Sequence, residues 1–190
     1  MTLSCSQPFS KKNYGPGIYI NEVTIADVQD ISGQLLPPNN LQYDIAIRLH
    51  LEIGRDFQPE FVIGGNFKHD PITDDVIGWG GAFVVQEALS KLGYEGKLDS
   101  NNGVPVDILE SLVGKTFLRL SYVSGVKESG KLRYSDWNNI ATLEDGAESL
   151  SQRFRKSLTK GYPRNYHPDI LDMPVENVDF PPVTVHEEVF

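Results

Sequence analysis

The chain has 190 residues, 39% apolar and 23% charged, which are the proportions of a globular domain long enough to bury a core and exclude a disordered chain. One cysteine, Cys5, excludes an internal disulfide and a multi-thiolate metal centre, and no apolar run is long enough for a membrane-spanning helix. The net charge of −9 argues against a uniformly basic nucleic-acid binder.

In chain order, residues 1–14 read as a flexible N-terminal segment without the apolar stretch of a signal peptide, so a cytoplasmic location is expected. Gly15-Pro16-Gly17 is turn chemistry that leads into a strand over Ile18–Ile31. There Ile18 and Ile20, then Val23, Ile25 and Val28, alternate with a slip, as a bulged strand does. Residues 33–40, with two prolines, form a loop. From Tyr43 to Ile53 the alternation is clean: Tyr43, Ile45, Ile47, Leu49, Leu51 and Ile53 on one face, Asp44, Arg48, His50 and Glu52 on the other.

Phe57–Phe67 reads as a third strand ending in Gly64-Gly65. Gly80–Tyr94 has helical spacing, with Gly93 as its stop, and Val106–Val113 is a second short helical piece closed by Gly114. Thr116–Val123 and Leu132–Ile140 are strands, and Glu148–Leu158 is a polar, basic helix that ends at Gly161-Tyr162-Pro163. Five strands with a helix inserted between the third and fourth predict a mainly β protein with an OB-type barrel over 15–166. A decorated β-sandwich is the alternative. Residues 167–190, with four prolines, six acidic residues and no Lys or Arg, read as an extended acidic tail with no core of its own.

Signatures of catalysis are scarce. Gly78-Trp79-Gly80-Gly81 lacks the spacing of a dinucleotide fingerprint, and no phosphate-binding loop is present. The histidines are scattered, and Cys5 is a poor nucleophile. Asp70, Asp74 and Asp75 share a loop but lack the oxygen-ligand spacing of a calcium loop, so a solvated turn is expected there. Neither an enzyme nor a cofactor is expected, and a site assembled from scattered carboxylates is the only catalytic alternative.

Charge is unevenly spread. Residues 115–166 hold ten basic and five acidic side chains, directly before the tail of six acids. That basic stretch interleaves cations with rings, which suits a polymer with a charged backbone and unstacked bases. The expected nucleic-acid contacts are Lys68, Arg119, Lys131, Arg133, Tyr134 and Trp137 in a groove. Arg153, Arg155, Lys156 and Lys160 on the basic helix would extend it. Phe117 is assigned to the core, and Lys68 follows glycines that would let a phosphate approach the backbone. Glu187, Glu188 and Phe190 are expected to form a compact anchor for a partner protein, and the same tethered tail to occupy the cationic groove in competition with nucleic acid.

Gly17-Ile18-Tyr19, Gly65-Asn66-Phe67-Lys68, Trp79-Gly80 and the Leu92-Gly93 helix end resemble phage-encoded OB-fold single-stranded DNA-binding proteins. Leu112 to Phe117 and Gly130 to Tyr134 are similar to the fourth and fifth strands of that group, so the likeness spans residues 15–142. The tail ending in Phe190 is similar to tails of bacterial and T7-type single-strand binders, which recruit replication and recombination proteins. The resemblance implies a non-catalytic protein that coats single-stranded DNA during phage replication or recombination, in the host cytoplasm and with no membrane partner; a homodimer is compatible with it. The alternative is a phage structural or assembly protein without nucleic-acid affinity, its aromatics buried and its tail docked on a neighbouring subunit.

Overall fold

In a computed structural model, residues 15–37, 40–52, 60–100, 103–130, 132–161, 170, 173 and 175–177 are described. The first strand, β1 (Gly17–Asp30), is long enough to serve two neighbours. Its second half pairs antiparallel with β2 (Ile45–Glu52), and its first half pairs antiparallel with β6 (Thr116–Val126). Strand β3 (Glu60–Gly65) extends the sheet beyond β2, and β7 (Leu132–Ala141) extends it beyond β6, giving the order β3-β2-β1-β6-β7. The two outer strands, β3 and β7, approach each other, so the sheet curls into a nearly closed five-stranded antiparallel barrel of the OB type.

Between the third and fourth barrel strands the chain inserts a small hairpin, β4 (Lys68–His69) with β5 (Val76–Gly78), then α1 (Phe83–Lys91) and α2 (Val106–Leu112). The predicted helices are therefore present, together with a hairpin that two-residue periodicity is too short to reveal.

Alternation decides the barrel interior. Val23 and Ile25 of β1, Ile45, Ile47, Leu49 and Leu51 of β2, Phe61 and Ile63 of β3 and Phe117 of β6 form one buried cluster. Helix α1 joins it with Val85, Ala88 and Leu89, and α2 joins it with Ile108, Leu109 and Leu112. The three-residue step from Ile25 to Val28 in the apolar pattern corresponds to a bulge: the β1–β2 register shifts between Ile25 and Asp27.

A second cluster lies on the other face of β1, β6 and β7. Ile18, Ile20, Leu120, Tyr122, Trp137 and Ala141 are covered there by Leu150, Phe154 and Leu158 of α3 (Gly146–Thr159). Burying each such large side chain stabilises the fold by about 1.5–3 kcal/mol. Strand β6 is consequently covered on both faces, and residues 119–123 are all buried.

The C-terminal stretch differs from its sequence reading. Ile170 is fully buried in the second cluster, with Met173 and Val175 packed against it, and β8 (Val175–Asn177) pairs parallel with Ile18–Ile20 of β1. This part of the expected tail belongs to the body, because β2 leaves the first half of the β1 edge unpaired and Ile170 and Val175 supply apolar surface to cover it. Residues 178–190, including Glu187, Glu188 and Phe190, lie outside the described residues.

Candidate nucleic-acid interface

The expected groove residues divide sharply by environment. Arg119, on β6, points into the barrel beside Phe117 and is only 2% exposed. Its Nη2 donates to Tyr134 Oη at 2.6 Å and to Asp136 Oδ2 at 2.7 Å, and its guanidinium lies over the Phe61 ring at 5.6 Å. Ser121 Oγ and Tyr134 Oη both donate to Asp136 Oδ1, at 2.8 and 2.7 Å. Burial first, and then the Asp136 carboxylate, push the Tyr134 phenol above its ordinary range, so it remains a donor at neutral pH. Arg119 and Tyr134 are thus brought together, but in an internal network rather than on a surface offered to a ligand.

Trp137 is 8% exposed and meets Phe154 edge-on, with ring centroids 5.3 Å apart. It sits under α3 and offers no face for a base to stack on. Arg153 is committed as well: its Nη2 donates to the Ile140 carbonyl at 3.0 Å, and its Nη1 lies 3.4 Å from Glu87 Oε1. Arg155 donates to the Met173 carbonyl at 2.7 Å and so holds the C-terminal stretch to α3. Lys68, Arg133, Lys156 and Lys160 are exposed. Lys131 lies outside the described residues.

The face that barrels of this class present to oligonucleotides is that of strands 2 and 3. Here cross-strand rows place Gln29, Arg48 and Val62 side by side, then Asp27, His50 and Glu60. Arg48 is paired with Glu60 at 3.4 Å. With Asp27, Glu52 and Glu60 against Arg48 and His50, this face is not a cationic track.

A different site emerges next to the hairpin. Phe67, Val76, Gly78, Trp79, Leu98, Asp99 and Ser100 line an open cavity of about 380 Å³. Its floor is aromatic: the Phe67 and Trp79 centroids are 5.5 Å apart at 49°. Phe67 is buried, whereas Trp79 is half-buried and Val76 and Ile77 are exposed. Gly78, one of the lining residues, pairs with exposed Lys68 across the hairpin, its missing Cβ position 3.8 Å from the Lys68 Cβ, so a lysine neighbours the cavity's lining. Flat rings, an apolar wall and an adjacent ammonium are what an unstacked base and its phosphate require.

Local backbone chemistry builds this corner. A Cβ on Gly65 would fall 2.1 Å from the Gly81 carbonyl oxygen, so the end of β3 and the turn at Gly80–Ala82 touch backbone to backbone. Gly64 is likewise covered by the Tyr43 ring. The glycines before Lys68 therefore serve internal packing rather than approach by a phosphate. Asp70 is spent on its own turn, accepting from the Ile72 and Thr73 amides, which holds its carboxyl below the usual range. Among the described residues no group of three or more metal-ligating side chains is gathered. Nor, among them, is any helix long and apolar enough to cross a membrane.

Sequence reasoning missed the cavity. Trp79 carried a signal, an aromatic ring between Gly78 and Gly80, but no periodicity links it to Phe67 or Leu98. No family model matches the chain, and no curated protein matches it.

Proposed function

We propose that the chain binds single-stranded nucleic acid, DNA in the first instance, without sequence preference, and that a base enters the Trp79–Phe67 cavity while Lys68 meets the adjoining phosphate. The observation that carries this reading is an OB-type barrel with a half-buried Trp79 in an open, largely apolar cavity next to an exposed lysine. Exposed Arg133, Lys156 and Lys160 add long-range attraction. Coating of single strands in replication or recombination, in the host cytoplasm, follows from the likeness to phage-encoded single-strand binders. Recruitment of partner proteins, and restraint of binding, are assigned to the segment ending in Glu187, Glu188 and Phe190.

The test uses the two tryptophans. In a Trp137→Phe chain Trp79 is the sole indole. Its fluorescence should be quenched by an oligo-dT of about 30 nucleotides, and quenching should weaken steeply with salt. Absence of quenching at low salt overturns the reading.

A second reading, a structural or assembly protein, is favoured by the burial of Trp137 and the internal pairing of Arg119. A stoichiometric oligomer in light scattering, together with no oligonucleotide affinity, would select it.

A further inference from the structure

One side chain of the cavity's hairpin, His69, reaches the barrel. His69 Nε2 lies 2.9 Å from Asp44 Oδ2, on the segment entering β2, and His69 Nδ1 lies 2.9 Å from the Asp74 carbonyl and 3.4 Å from Asp74 Oδ1. Both ring nitrogens therefore face oxygens that only accept. A neutral imidazole has one N–H and one lone pair, so it can satisfy one of these partners and must oppose the other. Only the imidazolium donates to both.

The surrounding geometry is arranged for that state. Asp74 has a positive φ of 61°, uncommon for a residue with a side chain, at the turn where its carbonyl meets the ring. Asp44 Oδ2 also accepts from the Phe67 amide at 2.8 Å, and the Asp44 amide donates to Asn66 Oδ1 at 2.9 Å. One carboxylate thus gathers His69 of the hairpin and Phe67 of the cavity floor. The charged groups around the ring are Asp44 from the barrel side and Asp70, Asp74 and Asp75 of the turn, with Lys68 its chain neighbour and exposed. Asp70 is turned to the Ile72 and Thr73 amides, which leaves Asp44 and Asp74 as the partners of the ring.

We propose that His69 is a proton-operated latch on the cavity: the imidazolium ties the β4–β5 hairpin to Asp44, and its deprotonation releases the wall formed by Val76 and Gly78. The hydrogen bonds to Asp74 and Asp44 also raise the His69 pKa above its ordinary value, which brings the transition toward neutral pH. The regulatory part of this inference, that closure favours base binding, rests on the function proposed above; the latch itself does not.

The experiment follows Trp79 emission in the ligand-free, full-length Trp137→Phe chain between about pH 5 and 8, alone and with His69→Gln. The ring-proton resonances of His69, assigned by their loss in His69→Gln, give the same titration in the unaltered chain. The expected result is an emission change with a midpoint displaced above about 6.5, absent in His69→Gln, with oligo-dT affinity falling across the same interval. A flat profile, or a transition that persists in His69→Gln, overturns the latch. A transition without oligonucleotide quenching at any pH leaves the latch standing and removes the nucleic-acid reading. A transition with pH-independent affinity removes the regulatory link.

Discussion

Arg119 reaches from β6 to Asp136 on β7, with Nη2 and Oδ1 2.6 Å apart inside the barrel. Both charges depend on the pair. Arg119 is almost wholly buried, and Asp136 also accepts from Ser121 and Tyr134. Removing one partner of such a buried pair leaves a charge without compensation, at a cost of about 3–5 kcal/mol. Asp136→Ala and Arg119→Ala should each show that loss in urea unfolding. The double variant should lose less than the sum of the two, because it strands no charge. Equal and additive small losses would show that the network contributes little.

The two tryptophans should behave oppositely. Trp137→Ala removes a ring packed on Phe154 and should cost about 3–5 kcal/mol of stability, whereas Trp137→Phe should bind oligo-dT as the unaltered chain does. Trp79→Ala should weaken oligo-dT binding by about 1–3 kcal/mol, the worth of one stacked base, in a chain that still unfolds cooperatively. Titration of each variant by anisotropy checks the contrast. Loss of binding in Trp137→Phe with retention in Trp79→Ala would move the site away from the hairpin.

Two glycines at the same contact give a sharper test of the corner. Alanine at Gly65 puts a methyl 2.1 Å from a backbone oxygen that cannot swing aside, so Gly65→Ala should cost about 1–3 kcal/mol or more. At Gly81 the nearest atom to an added Cβ is 3.5 Å away, ordinary contact, and Gly81→Ala should fall within about 0.5 kcal/mol of the parent. Thermal unfolding of both variants distinguishes a backbone contact from a loose turn.

These sites show which features the sequence carries. Strand alternation is a local property, so β1, β2, β6 and β7 are legible; the slip in the β1 pattern signals a bulge but does not place it, and the bulge falls between Ile25 and Asp27. The same alternation puts Arg119 on the face of Phe117, hence inside the barrel and not in a groove. Trp137 does share its face with Arg133 and Ser135, both exposed. What covers that face is α3, a tertiary fact that periodicity in β7 does not contain. The cavity draws Phe67, Val76, Trp79 and Leu98 from three separate stretches and had no linear signature. The burial of Ile170 depended on an unfilled strand edge, which composition and proline content cannot reveal.

Proton linkage at the hairpin has two opposite signs. His69 is raised in the folded chain, so its stabilising contribution is complete below the unfolded pKa and is lost as pH rises through the folded one. Asp70 is lowered, so its contribution is present above its unfolded pKa and is lost as pH falls through the folded one. Hydrogen exchange of the Ile72 and Thr73 amides should therefore be slowest, after correction for intrinsic rates, between the two transitions. His69→Gln should abolish only the upper change and Asp70→Asn only the lower. A single transition shared by both variants would contradict separate roles.

The C-terminal stretch should prove divisible. Ile170 is fully buried and Arg155 holds the Met173 carbonyl, so a chain ending at Tyr166 loses part of the second core as well as β8. Ile170→Ala alone should cost about 2–5 kcal/mol, and truncation after Tyr166 at least as much. Truncation after Asn177 keeps those contacts and removes Asp179, Glu187, Glu188 and Phe190. It should leave stability unchanged and, because those acids compete for the binding surface in the proposed function, tighten oligo-dT binding most at low salt, where the ionic competition is strongest. Equal destabilisation by both truncations would mean that residues 178–190 also belong to the body, and unchanged affinity after Asn177 would deny them the restraining role.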